Sequence, residues 1–169
     1  MTTMHVDEIK RMAWRAHTNA ACRDQLFTAL LGDDRTEAVQ AAWALTHLPK
    51  EDNNHIANHR EELTRKAIST PDTSLRRLTL ALLERLDWPF VDEPPEFYLR
   101  LLNFCFQHMM LADETYGVRS LSMKLAYRLA LPYPELLGEL RQSLLLLEPT
   151  ELGAGVRCTR NKLLKDIKK

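Results

Sequence analysis

The chain has 169 residues and a mass of 19.6 kDa, with 45% hydrophobic and 27% charged residues, a make-up that suits a compact folded domain and excludes disordered and collagen-like chains. Lys+Arg and Asp+Glu number 23 each, so charge alone does not mark a nucleic-acid binder. No run approaches the roughly 18 apolar residues of a membrane span, and residues 1–20 carry Asp7 and Glu8 where a secretory leader would be apolar.

Leucine occurs 30 times against 9 for valine and isoleucine together, a balance that favours helix over strand. All eight prolines fall at candidate boundaries. In chain order the pattern predicts helices at 5–17, 20–31, 34–48, 52–69, 73–87, 94–111, 115–130, 134–147 and 154–167. Asp72 and Ser74 are placed to cap the segment from Leu75, Pro94 and Pro95 suit a first turn, and Asp113 precedes the segment holding Val118. No stretch alternates with period two over the length of a strand, so the expected class is all-α. Cys22, Cys105 and Cys158 are far apart and form no CxxC pair, which indicates neither a disulfide framework nor a zinc site and fits a reducing cytoplasm.

One segment recurs. It reads LRRLTLALLERL at 75–86, VRSLSMKLAYRL at 118–129 and VRCTRNKLLKDI at 156–167, with a weaker copy, EAVQAAWALTHL, at 37–48. The starts are 38, 43 and 38 residues apart. The ninth and twelfth positions share a helix face as Leu45/Leu48, Leu83/Leu86, Ala126/Leu129 and Leu164/Ile167. Acidic residues precede each copy, and Arg stands second in three of them as Arg76, Arg119 and Arg157. This resembles the HEAT-repeat (ARM-like) family, whose first helix carries a Val-Arg start, small residues and a Leu-x-x-Leu end after an acidic turn. The resemblance covers roughly 33–169. It implies a single domain over 1–169, a short right-handed α-α superhelix of about four repeats. It also implies that Asp72, Asp113, Arg76, Arg119 and Arg157 form a structural ladder, and that the second helices, at 52–69, 94–111 and 134–147, line a concave face. The last copy has no second helix before Lys169, so Arg160, Lys165, Lys168 and Lys169 are expected on a polar capping side.

His55, His59 and Glu62 in HIANHREE have helical spacing for a metal. They lack the Glu directly after the first His that zinc proteases use, and a solvated polar face is the expectation. No nucleophile elbow or phosphate loop is present in the sequence; Cys105 reads as a core thiol. The loop DWPFVDEPPEFY at 87–98 combines Trp88, Phe90, Phe97 and Tyr98 with Asp87, Asp92, Glu93 and Glu96. Its rings either plug the helical ends or, with the acids, meet a basic peptide. Residues 118–169 hold 10 basic and 5 acidic groups, six of the bases in 157–169; a basic last helix suits its own dipole.

The expected function is a non-enzymatic scaffold that binds a protein or peptide segment, with Glu62, Lys66, Arg100, Asn103, Gln107, Gln142 and Trp88 as the candidate contacts. No catalytic residue, cofactor or metal is assigned, and no membrane partner. The alternative is nucleic-acid binding, since the resemblance extends to HEAT-like proteins that repair alkylated DNA. The middle inner helix holds only Arg100 and the third only Arg141, which disfavours it. An enzyme or enzyme accessory subunit on a helical-repeat body ranks third.

Overall fold

A computed structural model describes residues 5–168. Ten α-helices and two 3-10 turns make up its regular structure, with no strand among the described residues. The chain divides into two compact units, Met1–Leu86 and Asp87–Lys169.

The first unit holds α1 (Val6–Thr18), α2 (Ala20–Leu31), α3 (Arg35–Thr46), a 3-10 turn at Lys50–Asp52, α4 (Asn53–Ala57), α5 (Arg60–Ser69) and α6 (Thr73–Glu84). Helices α1, α3 and α6 succeed one another in one layer, with α2 and α5 in the other. Alanines let the first layer close up. Ala38, Ala41, Ala42, Ala44 and Leu45 of α3 are all buried, so little more than backbone separates it from its neighbours. The expected helix at 52–69 is interrupted. His59, at φ −110° and ψ 18°, is the N-cap of α5, and its ring stacks on Phe27 of α2 at 4.0 Å. That ring contact turns the chain at Asn58–His59 without help from proline or glycine.

The second unit holds α7 (Glu96–Met110), α8 (Tyr116–Ala130), α9 (Pro134–Leu146), a 3-10 turn at Pro149–Glu151 and α10 (Ala154–Ile167). Helix α8 is its centre and packs on α7, α9 and α10. Eight of its residues are buried, among them Val118, Met123, Leu125 and Leu129.

The four recurring segments lie on α3, α6, α8 and α10, and each begins three residues after its N-cap: Asp34, Asp72, Thr115 and Gly153. Within each unit the two copies pack on each other, α3 against α6 and α8 against α10. Their ninth and twelfth residues are buried in the first three copies. In the last copy Leu164 and Ile167 are only half-buried, and Leu163 takes the core position. Caps hold the entries. The Asp34 and Asp72 carboxylates accept from the backbone N–H of Glu37 at 2.9 Å and Leu75 at 2.8 Å. Asp113 does not take this role: it is exposed, and Thr115 caps α8 instead.

Candidate functional site

Charged side chains that a sequence reading would assign to partners are, in several cases, engaged by the fold itself. A helix ends with four backbone carbonyls lacking intrahelical partners, and here cations from other elements reach many of them. Arg23 donates to Ala16 O at the end of α1, and Lys66 Nζ to Gly32 O, just past α2, at 2.8 Å. Arg85 donates to the Leu45 and Thr46 carbonyls at the end of α3 and to Pro49 O just past it, braced by Asn53 Oδ1. Burial lowers the Arg85 guanidinium from its usual value, while the charge of Asp52 opposes that shift. Arg76 donates to Ala67, Ile68 and Thr70 at the end of α5, Arg119 to Met109 of α7, and Arg160 to Leu144 of α9. These latches also complement the negative end of each helix dipole.

Of the ladder that the family resemblance implies, Arg76 and Arg119 are structural, each through helix-end carbonyls. Arg157 is not part of it: it is exposed, and Arg160, one turn later and buried, binds the α9 carbonyl. Arg160 therefore leaves the polar capping side, which keeps exposed Lys165 and Lys168; Lys169 lies outside the described residues. Asp72 also pairs with Arg35 across the stacked α3 and α6. Burial raises its carboxyl, but the Leu75 N–H, the Arg35 guanidinium and the Ser74 N–H together hold it below the usual value.

Of the expected contacts, Glu62 and Lys66 stand in the first unit and the other five in the second. Glu62 is exposed, 3.6 Å from His59 Nδ1, too far for a hydrogen bond. Lys66 is the latch on Gly32. Trp88 is a correction. It is 7% exposed and packs edge-on to Tyr98 at 5.8 Å, so it belongs to the core and offers no ring to a partner. Tyr98 is buried too, and its hydroxyl donates to Leu129 O. Burial, with Tyr133 nearby, pushes the Tyr98 phenol well above the ordinary range. The remaining four share one setting. Arg100, Asn103 and Gln107 are exposed on α7 at helical spacing, and Gln142 is exposed on α9, the helix beside it in the same layer. Glu96, Glu135 and Glu139 are exposed on these helices as well, with Leu99, Leu145 and Leu146 among them. The opposite faces bury Tyr98, Leu101, Leu102 and Cys105 on α7, and Leu140 and Leu144 on α9. The outward face is thus a mixed polar surface on a fixed base.

His55 and His59 do not converge on Glu62 as metal ligands. His55 faces Asp52 at 4.0 Å, whereas His59 is held by Phe27. Among the described residues no three His, Cys, Asp or Glu side chains are grouped to hold a metal. Two concavities escaped the sequence reading. One, of about 410 Å³, is lined by Lys10, Trp14, His17, His47 and Glu51, with Trp14 66% exposed. Buried Asp52 accepts from or pairs with His17 Nδ1 at 2.7 Å beneath it. The other, of about 320 Å³, lies between Phe90 and the turn Pro132–Tyr133–Pro134. The Pro-Tyr-Pro spelling between two helices was the only signal for it.

No helix of the described residues is long and apolar enough to cross a membrane. A family model described as HEAT repeat domain matches residues 1–167. No curated protein and no solved structure matches the chain. With stacked helical copies, capped entries and a family match over nearly its whole length, the chain belongs to the HEAT-repeat family.

Proposed function

We propose that the chain is a non-enzymatic scaffold that binds a protein segment on the outward face of α7 and α9. The observation that carries this reading is the set Arg100, Asn103, Gln107 and Gln142, exposed on adjacent helices whose other sides are rigidly packed. Arginine and amides match backbone carbonyls, amides and carboxylates of a peptide better than they match a row of phosphates. Leu99, Leu145 and Leu146 add the apolar area that interfaces need. The three cysteines, free of disulfides, suit the reducing cytoplasm as its place of action.

The test is affinity capture from the native cell extract with the unaltered chain and with Arg100→Ala. Binding of the captured partner is expected to weaken by about 1–3 kcal/mol, with the melting temperature nearly unchanged because Arg100 is exposed. Nucleic-acid binding is the second reading, favoured by exposed Arg157, Lys162, Lys165 and Lys168 along α10. It requires that neutralising those four abolish binding, that Arg100→Ala leave it intact, and that affinity fall steeply with salt. That outcome would replace the scaffold reading.

A further inference from the structure

The loop between the two units' defining helices, 87–95, is long, yet the second unit holds it firmly. Tyr133 reaches it from the α8–α9 turn, and its hydroxyl accepts from Val91 N at 3.0 Å while donating to Val91 O at 2.9 Å. The Tyr133 ring also stands edge-on to Tyr98 at 6.1 Å, and Tyr98 stands edge-on to buried Trp88. This chain of rings ends at Phe90, 5.3 Å from Tyr133, which is 59% exposed. Fixing a loop with both backbone groups of one residue leaves Phe90 displayed on a rigid support, where a core residue would have turned inward.

Beside Phe90 opens the groove of about 320 Å³ floored by Pro132, Tyr133 and Pro134 and bounded by Glu135 and Leu136. The loop beside it is acidic. Residues 87–99 contain Asp87, Asp92, Glu93 and Glu96 and no Lys, Arg or His, and Asp92, Glu93, Glu96 and Glu135 are all exposed, while exposed Arg100 stands one turn beyond Glu96 on α7 and exposed Arg128 in the last turn of α8. Exposed Val91 and Leu131 extend the apolar surface. An aromatic and proline floor with acidic edges fits an extended segment whose cations lie over a ring face and whose prolines or aliphatic stems fill the trough.

We propose that this groove docks an extended, arginine- or lysine-bearing protein segment, with Phe90 as its anchor and the acids Asp92, Glu93 and Glu135 as its charge partners. Glu135 borders both this groove and the α7–α9 face, but the anchor Phe90 is not one of the contacts on that face, and the inference does not depend on them. The charge complementarity names the occupant: an acidic or nucleic-acid partner meets like charge here and is repelled.

The probe is a fluorescein-labelled peptide alternating arginine and proline, titrated against the full chain by fluorescence anisotropy. A glutamate–proline peptide and a DNA duplex serve as comparisons. Saturable binding of the arginine peptide alone is expected, weakening as salt rises. Phe90→Ala should weaken it about three- to tenfold, and the pair Asp92→Asn with Glu93→Gln should flatten the salt dependence. Circular dichroism should show the helices unchanged, because all three side chains are exposed. Absence of saturable binding, equal binding of the glutamate peptide, or a Phe90→Ala variant as tight as the unaltered chain overturns the proposal. If instead Arg100→Ala removes probe binding and Phe90→Ala does not, the peptide sits on the α7–α9 face. This inference then fails while the scaffold reading stands.

Discussion

Replacing Arg76 by methionine tests whether the cationic latches hold the repeats together. Methionine keeps most of the apolar stem, so the change isolates the guanidinium. In the native fold that group donates to Ala67 O at 2.9 Å, to Ile68 O at 3.3 Å and to Thr70 O, all at the end of α5. A hydrogen bond involving a charged group contributes about 1.5–3 kcal/mol in isolation. Three bonds sharing one half-buried cation do not add, since the carbonyls that lose it regain some water. A loss of about 2–4 kcal/mol follows, roughly that of a sizeable core truncation. The neighbouring Arg77 is exposed, so Arg77→Met serves as the matched control and should stay within about 0.5 kcal/mol. Arg76→Lys keeps the charge but not the planar fork, and should fall between the two. Urea unfolding followed by circular dichroism measures all three. If Arg76→Met is no less stable than Arg77→Met, the carbonyls are served well enough by water and the latch is decorative.

Leu86 is 1% exposed, and Leu86→Ala should cost about 2–5 kcal/mol in urea, a transfer term plus a residual cavity; a loss below about 1 kcal/mol would remove it from the core. Because Asp72 has a lowered value in the fold, its contribution is complete above the ordinary carboxylate value of 3.8 and disappears as pH falls through the folded value. Asp72→Asn should therefore reduce stability at neutral pH and weaken its fall in acid, read from urea midpoints against pH; parallel acid limbs would refute this. Burial pushes the Cys105 thiol far up, whereas Cys158 is exposed. A thiol reagent with mass-spectrometric mapping should modify Cys158 in the native chain and Cys105 only after unfolding, and early Cys105 modification would show an open core.

Helix positions were legible to within a few residues because leucine spacing and proline placement are local signals. The recurring segment gave the family and the phase of the N-caps. The break at Asn58–His59 was not legible, since its cause is a ring from α2 and no residue nearby spells a stop. The last copy misled for a related reason. Alignment put Arg157 in the ladder by position, but the α9 carbonyl is met one turn further along α10, where Arg160 stands. In the loop at 87–98 composition could not say which ring turns inward. Trp88 and Tyr98 do so, leaving Phe90 outside, and the decision rests on Tyr133, some forty residues away. Lys66 shows the same limit on the candidate contacts: its spacing matched a binding row, while a carbonyl 34 residues earlier claims its charge.

The latches from α6, α8 and α10 have a bearing on how such a chain grows by duplication. Each second helix, α5, α7 or α9, has its end finished by an arginine of the first helix that follows: Arg76, Arg119 or Arg160. The module that is complete in energy is therefore a second helix plus its successor, half a period out of step with the repeat that is visible in the letters. An insertion cut at the spelled boundary, before an N-cap, brings its own arginine for the helix upstream and relies on the next copy's arginine for its own. Copies can then be added in tandem as long as each keeps such an arginine early in its first helix, at the second position like Arg76 and Arg119 or the fifth like Arg160. A copy that loses it leaves its upstream neighbour unfinished, so selection on one segment is exerted through the end of another.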